Sequence, residues 1–237
     1  MPERRSTAPV IRFGTDGWRA RTGDQFTFEN VRACADGLAR YLISTGQSGK
    51  GAVVGFDTRF LSDQFAAEVA QVLALRGIAT HLFDRPAPTP ACSFAVTHFG
   101  AAAGAMITAS HNPAQDNGFK VKSAAGGSAP PEMVAEIEAQ VHAVLAGGPA
   151  PRKLSRATVQ RFNPMVIYAT QIERVIDVSR LRAAPLEVIV DPMHGAGAGV
   201  LPRLLGGCTM KVTEVRSEPN PSFPGMQQPE PVEHNLV

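Results

Sequence analysis

The chain has 237 residues, 44% of them apolar, and a formal net charge of +2. That length supports one large domain, or one complete domain and part of another, around a substantial core. The near-neutral balance argues against a dedicated nucleic-acid surface while leaving room for a local phosphate site, and one Trp and two Tyr are too few for base-stacking platforms.

Met1-Pro2-Glu3-Arg4-Arg5 carries two positive charges with no apolar stretch behind it, so no signal peptide is expected. No run approaches the length of a membrane span, and a cytoplasmic location is expected. Val31, Cys34, Ala35, Leu38, Ala39 and Leu42 recur at helical spacing and predict a helix over 27–45, capped by Thr27. Gly46 to Gly51 breaks the pattern, and Ala52–Phe56 reads as a buried strand. Ser62 is expected to cap a second helix that turns Phe65, Val69, Val72 and Leu73 inward and stops at Gly77. Ile78–Phe83 is the next strand, and Pro86, Pro88 and Pro90 form a stiff connector.

A short helix is expected over 91–97, a strand over 104–108, and a returning strand over 118–122. Met133, Ile137, Val141, Val144 and Leu145 outline another helix, ending near Gly147-Gly148. Strands alternating with amphipathic helices predict an α/β fold of layered mixed sheets with flanking helices. Gly147 to Pro151 is the candidate boundary, dividing the chain into domains at 1–150 and 151–237. Beyond it, a helix over 163–182, a strand over 186–190, a helix over 200–205 and a strand over 210–215 are expected. Glu218 to Pro231 is proline-rich and has no period. These elements do not make a closed two-layer core, so the second domain is expected to be incomplete.

Cys34, Cys92 and Cys208 are far apart and odd in number, fitting neither a disulfide framework nor a zinc pattern. Cys34 is expected to be a small core residue. His81, His98, His142, His194 and His234 form no pair at metal-ligand spacing, and a turn-stabilising role is expected for His194. Gly195-Ala196-Gly197-Ala198-Gly199 sits where a dinucleotide fingerprint would, but its third glycine comes too early. A tight strand-to-helix turn is the simpler reading. Gly46 to Lys50 lacks the spacing and the Ser or Thr of a P-loop.

Thr108-Ala109-Ser110-His111-Asn112-Pro113 follows a short apolar run, and Lys120 lies close behind it. A serine presented at the end of a buried strand, with His and Lys nearby, suits phosphoryl transfer or nucleophilic attack, although a polar turn would look similar. This segment resembles the phosphoserine signature of the α-D-phosphohexomutases, the phosphoglucomutase and phosphomannomutase superfamily. The likeness extends to Phe13-Gly14-Thr15-Asp16-Gly17-Trp18-Arg19-Ala20, to Gly55-Phe56-Asp57-Thr58-Arg59 with Ser62, and to Asn117-Gly118-Phe119-Lys120. It continues through Asp191-Pro192-Met193-His194-Gly195-Ala196-Gly197, and through Pro219 to Pro224 with Pro229-Glu230-Pro231. One such segment is weak; this series in order is specific.

The resemblance implies a mutase that interconverts hexose 1-phosphate and hexose 6-phosphate through a phosphoserine and a bisphosphate intermediate. It assigns Ser110 the phosphate and places Arg19, His111 and Lys120 around the transferring group. Asp57 and Arg59 are expected to support the loop, as a structural ion pair or in catalysis. The family also implies Mg2+, with Ser110 or its phosphate as one ligand, held by an acidic loop that is not in this sequence. The resemblance covers nearly all of this chain, and the chain covers about half of a four-domain member. The chain alone is therefore expected to be inactive, needing the missing C-terminal domains or a second chain. Two rival readings are a non-catalytic sugar-phosphate-binding or partner-dependent fragment, and a serine hydrolase using Ser110 and His111. Adjacent side chains usually diverge, and no nucleophile-elbow pattern is present, which weighs against the hydrolase.

Overall fold

The computed structural model describes residues 11–14, 17–147, 156–207 and 209–236. Its main feature is a six-stranded sheet, built from β1 (Trp18–Arg21), β2 (Ala52–Phe56), β3 (Thr80–Phe83), β4 (Ala103–Ile107), β5 (Asp116–Ser123) and β6 (Val159–Phe162). The strand order is β1-β5-β4-β2-β3-β6. β4, β2, β3 and β6 run parallel, while β5 and β1 add an antiparallel edge. β2 and β4 are buried along their whole length. That is why they read as unbroken apolar runs rather than as an alternation: both of their faces are covered.

Helices α1 (Phe28–Ser44), α2 (Ser62–Leu75) and α4 (Pro131–Leu145) form one layer, with α1 packed against both of the others. Helix α3 (Thr89–Phe99) packs on β2 and β4 and meets α5 (Pro164–Val175). Leu38, Leu42, Phe65, Leu73, Ile107 and Phe119 are fully buried in the core between them. Thr27 caps α1 as the sequence predicts, its side chain accepting from the Asn30 N–H. A smaller unit follows, with α6 (Val178–Arg182), β7 (Glu187–Val190), α7 (Val200–Leu205) and β8 (Lys211–Glu214). β7 and β8 form a two-stranded parallel sheet, and Ile189 on it is 76% exposed.

Four local expectations change. Ser62 does not cap α2: Leu61, in the left-handed region at φ 60°, precedes the helix, and Ser62 is its first residue. The Ser62 hydroxyl donates instead to Asp57 Oδ1 at 2.9 Å. The helix expected over 163–182 is two helices, because Ile176 is extended and Asp177 starts α6 by accepting from the Arg180 N–H at 2.9 Å. β1 and β6 have no counterpart in the expected elements, because each is a four-residue edge strand in which polar and apolar residues are equally frequent. β6 pairs with β3, so the large sheet takes its last strand from beyond the Gly147–Pro151 segment. Residues 148–151 of that segment lie outside the described residues, as does Cys208. Cys34 and Cys92 are buried free thiols; burial pushes both up, Cys92 to about 12. Neither is a thiolate in the fold.

Two outcomes test this packing. Gly37 lies where α1 meets α4, and a Cβ there would stand 2.4 Å from Val141 Cγ2 and 3.0 Å from the Val141 nitrogen. Alanine is the better helix former by about 1 kcal/mol, yet overpacking costs about 1–3 kcal/mol. Gly37→Ala is therefore expected to lower the unfolding free energy, measured in urea. His81 stacks on Phe99 at 3.9 Å, its Nδ1 is buried with no hydrogen-bond partner, and burial holds its pKa down. The neutral ring is the native form. Stability is full above the unfolded-state value of about 6.5 and falls as pH drops below it, because the unfolded chain takes the proton first. His81→Phe is expected to flatten the loss of urea midpoint between about pH 7 and pH 5.

Candidate active site

β4 ends at Ile107, and β5 begins at Asp116. The connection between them carries Ser110, exposed and in the left-handed region at φ 59°. For a residue with a Cβ that conformation costs about 1–2 kcal/mol, so neighbouring groups must hold it. Thr108 Oγ1 accepts from the Ser110 N–H at 2.9 Å, and the Ala109 carbonyl accepts from the Asn112 N–H at 3.1 Å. Gly118 lets the strands close: a Cβ there would lie 2.5 Å from the Thr108 carbonyl oxygen.

The main support comes from another strand end. Arg59, just beyond β2, is buried to 3% exposure. One of its terminal nitrogens donates to the carbonyls of Pro113 (2.8 Å) and Asp116 (2.9 Å). The other donates to the carbonyls of Ser110 (2.8 Å) and Asn112 (2.6 Å). Asp57 supplies the counter-charge, with its carboxylate 3.4 Å from Arg59 Nε. Asp57 also accepts from the Arg59 N–H, the Ser62 hydroxyl and Thr108. Burial pushes the Asp57 carboxyl up, and these donors and the guanidinium oppose that push. Asn117 extends the network, donating to Ser62 Oγ at 2.9 Å and accepting from the Gly118 N–H at 2.8 Å.

The residues predicted around Ser110 stand in different relations to its turn. Arg19, on β1, donates to Asn112 Oδ1 at 2.9 Å and so is tied to the serine turn. Asn112 in turn donates to Asp116 Oδ2 at 3.0 Å. His111 is exposed, next to Ser110 in the same turn. Lys120 is buried to 4% exposure on β5, in register with Met106 on β4. Register partners share a sheet face, and Met106 lines the same cleft as Ser110. Gly17 leaves space beside this lysine, since a Cβ there would meet Lys120 Cα at 2.8 Å. Thr15 and Asp16 of the same loop lie outside the described residues.

The cleft at Ser110 holds about 190 Å³ and is closed on its far side by the second unit, through Met193, Gly195, Phe223 and Pro229. Thr58 Oγ1 donates to the His194 carbonyl at 3.2 Å. His194 itself is left-handed at φ 59°, with its Nδ1 2.8 Å from the Glu218 carbonyl, which fastens the turn as expected. Gly195 to Gly199 is the tight strand-to-helix turn, with Gly199 at φ 74° preceding α7. Asp191 and Arg216 pair at its base, and that pairing holds the Asp191 carboxyl below the usual range.

These residues do not fit a complete magnesium site. A magnesium ion needs several oxygen ligands in octahedral array. Ser110 offers one; the nearby carboxylates of Asp57 and Asp116 are engaged by Arg59, Ser62 and Asn112. Among the described residues no group of three or more His, Cys, Asp or Glu side chains is placed to hold a metal. Among them also, no helix is long and apolar enough to cross a membrane.

Sequence reasoning missed Thr108, Asn117 and Phe223. Thr108 was visible only as the first letter of the serine motif, and its hydroxyl bonds backward to Asp57. The contacts of Asn117 and Phe223 depend on register and on the second unit, and no local pattern encodes them.

Residues 10–146 match the family model for phosphoglucomutase/phosphomannomutase, alpha/beta/alpha domain I. Residues 167–237 match alpha/beta/alpha domain II of the same family. A phosphoglucomutase of Staphylococcus saprophyticus is 32% identical over 229 residues, covering 91% of this chain and 41% of that protein. A Haemophilus influenzae protein assigned as a phosphomannomutase is 32% identical over 215 residues, covering 87% and 43%. A solved structure from Thermus thermophilus, assigned as a phosphomannomutase, superposes with a TM-score of 0.84 at 38% identity, covering 96% of this chain and 50% of that one. The chain thus spans less than half the length of these curated relatives.

The Arg59–Asp57 pair makes a quantitative test. Removing one member of a buried pair strands the other, at about 3–5 kcal/mol. Arg59→Ala and Asp57→Ala are each expected to cost about that much in urea unfolding. The double variant is expected to cost less than their sum, with a coupling of about 0.5–3 kcal/mol.

Proposed function

The chain belongs to the phosphoglucomutase/phosphomannomutase family, and we propose that Ser110 is its phosphoryl carrier in the interconversion of hexose 1-phosphate and hexose 6-phosphate. The observation that carries this reading is the exposed left-handed Ser110, held at the edge of a cleft by a buried guanidinium. A hydroxyl that must meet both ends of a sugar phosphate needs to be accessible and fixed, and such positioning supplies much of phosphoryl-transfer catalysis.

In the forward step the bond from Ser110 Oγ to phosphorus breaks, and a bond from a sugar hydroxyl oxygen to phosphorus forms. The hydroxyl proton passes to Lys120 acting as general base, and Lys120 gives a proton to the departing Ser110 oxygen, so that the serine is left as a neutral hydroxyl. The product is a hexose bisphosphate. Its other phosphate then returns to Ser110, whose hydroxyl proton passes to Lys120 as Lys120 gives a proton to the departing sugar oxygen. Arg19 can fork two hydrogen bonds onto phosphate oxygens as charge spreads over them, and His111 can donate a further one. Magnesium, when bound, would neutralise phosphate charge, with Ser110 or its phosphate as one oxygen ligand.

A partner-dependent reading has one specific observation in its favour. Val175 at the end of α5 and Leu186 and Ile189 of the second unit are 68%, 54% and 76% exposed. Apolar surface of that kind is normally covered by more protein. This reading and the mutase reading are compatible if the covering segment belongs to the same enzyme.

Two assays test the proposal. Glucose 1-phosphate, a bisphosphate activator and magnesium are supplied to the longest product of the gene, and isomer interconversion is followed. Ser110→Ala is expected to lower kcat by at least ~10³-fold. Intact mass and peptide mapping are expected to place one added phosphate on Ser110 of the unmutated protein. The 237-residue chain by itself is expected to give little or no turnover in the same assay. Undiminished interconversion by Ser110→Ala would refute the assignment.

A further inference from the structure

Arg59 directs its terminal N–H groups within its own plane, to the carbonyls of Ser110, Asn112, Pro113 and Asp116. That leaves the faces of the guanidinium. One is covered by Phe223, whose ring centroid is 5.2 Å from Arg59 Cζ. Phe223 comes from the second unit, is 3% exposed, and sits at φ 44° in the left-handed region. A bulky residue does not adopt that backbone without a reason. Its turn is built for it: the Asn220 carbonyl accepts from the Phe223 N–H at 3.1 Å, and the Phe223 carbonyl accepts from the Met226 N–H at 3.2 Å. The Asn220 side chain also accepts from the Ser222 N–H at 3.0 Å.

We infer that Phe223 is a positioning residue for the serine turn, acting through Arg59 and making the order of Ser110 depend on the second unit. The negative face of the ring attracts the guanidinium. It also keeps water from the clamp, which strengthens each of the hydrogen bonds beneath it. The strained Ser110 backbone is held by those bonds. The inference rests on Ser110 being the phosphate carrier, since that is what gives the order of this turn its significance. Thr58 joins the same two segments, donating to the His194 carbonyl, so the Phe223 ring does not have to hold the units together alone.

Amide hydrogen exchange on the 237-residue chain tests it without any catalytic assay. The reporters are the N–H groups of Ser110, Asn112 and Asp116, which bond within the turn. Phe223→Ala is expected to raise their exchange rates by about tenfold or more, with α1 and β2 unchanged. Trifluorophenylalanine at position 223 is nearly isosteric but has a weakened negative face. It is expected to raise the same rates by about threefold to tenfold, in a way that a purely space-filling ring would not. Unchanged rates in both variants would overturn the inference. So would loosening by alanine with none by the fluorinated ring, which would make Phe223 a packing residue only. Should alanine also expose β7 and β8, the fluorinated variant alone decides. An absence of phosphate on Ser110 would defeat the mutase reading and leave these exchange rates as they are.

Discussion

One guanidinium takes the place of water for the carbonyls of a whole turn. Arg59 donates to the carbonyls of Ser110, Asn112, Pro113 and Asp116, and its own charge is answered by Asp57. Only a planar group with donors in a fixed fork reaches that many acceptors at once, and the compact ammonium of lysine has neither the reach nor the geometry. Burying the pair is costly in itself. The cost is offset locally, because the Asp57 carboxylate and each terminal nitrogen of Arg59 have partners. What the arrangement yields is a serine whose backbone is rigid while its side chain remains exposed. Flexible surface serines are common; a fixed one, aimed from strained backbone, is what a group-transfer site requires.

The sheet explains why this network forms where it does. β2 lies between β4 and β3, so the chain leaves β2 toward one neighbour and returns later to the other. Crevices open at such reversals, beyond the carboxyl ends of the strands. Asp57 follows β2, Thr108 follows β4, and Ala87, which lines the same cleft, follows β3. The antiparallel pair β5 and β1 then brings Lys120 and Arg19 alongside from the sheet edge. The site is thus an outcome of strand order. Residues from positions 19 to 120 converge because parallel strands end at one level and the hairpin partner of β4 returns past it.

Much of this was legible in the sequence, and the reason differs by element. Buried parallel strands and long amphipathic helices carry their own signal, so β2, β4, α1 and α4 were found within a few residues. Edge strands β1 and β6 carry almost none, since each is four residues long and half of its side chains are polar. Ser62 looked like a cap because Ser before an apolar run usually is one; the buried carboxylate of Asp57 claimed its hydroxyl instead. Motif order singles out Ser110, Arg19, His111 and Lys120; the structure places Ser110 and His111 in one turn, ties Arg19 to that turn through Asn112, and puts Lys120 on β5. The clamp was not legible. That Arg59 would bond to four backbone carbonyls follows from register and loop path, which no local window contains.

The second unit constrains the same turn. By itself it is a two-stranded sheet with short helices and exposed apolar side chains, too small to hold a core of its own. Yet its most strained residues, Met193, His194, Arg216 and Phe223, lie at the cleft or in the turn that fastens it. Strain collects where surrounding structure over-determines the backbone. Here the surrounding structure is partly the first unit: Thr58 holds the His194 carbonyl, and the Arg59 guanidinium lies against Phe223. Each unit therefore supplies conformational constraint that the other lacks. A boundary drawn by sequence composition parts β6 from its own sheet, and the cleft at Ser110 is lined by both units.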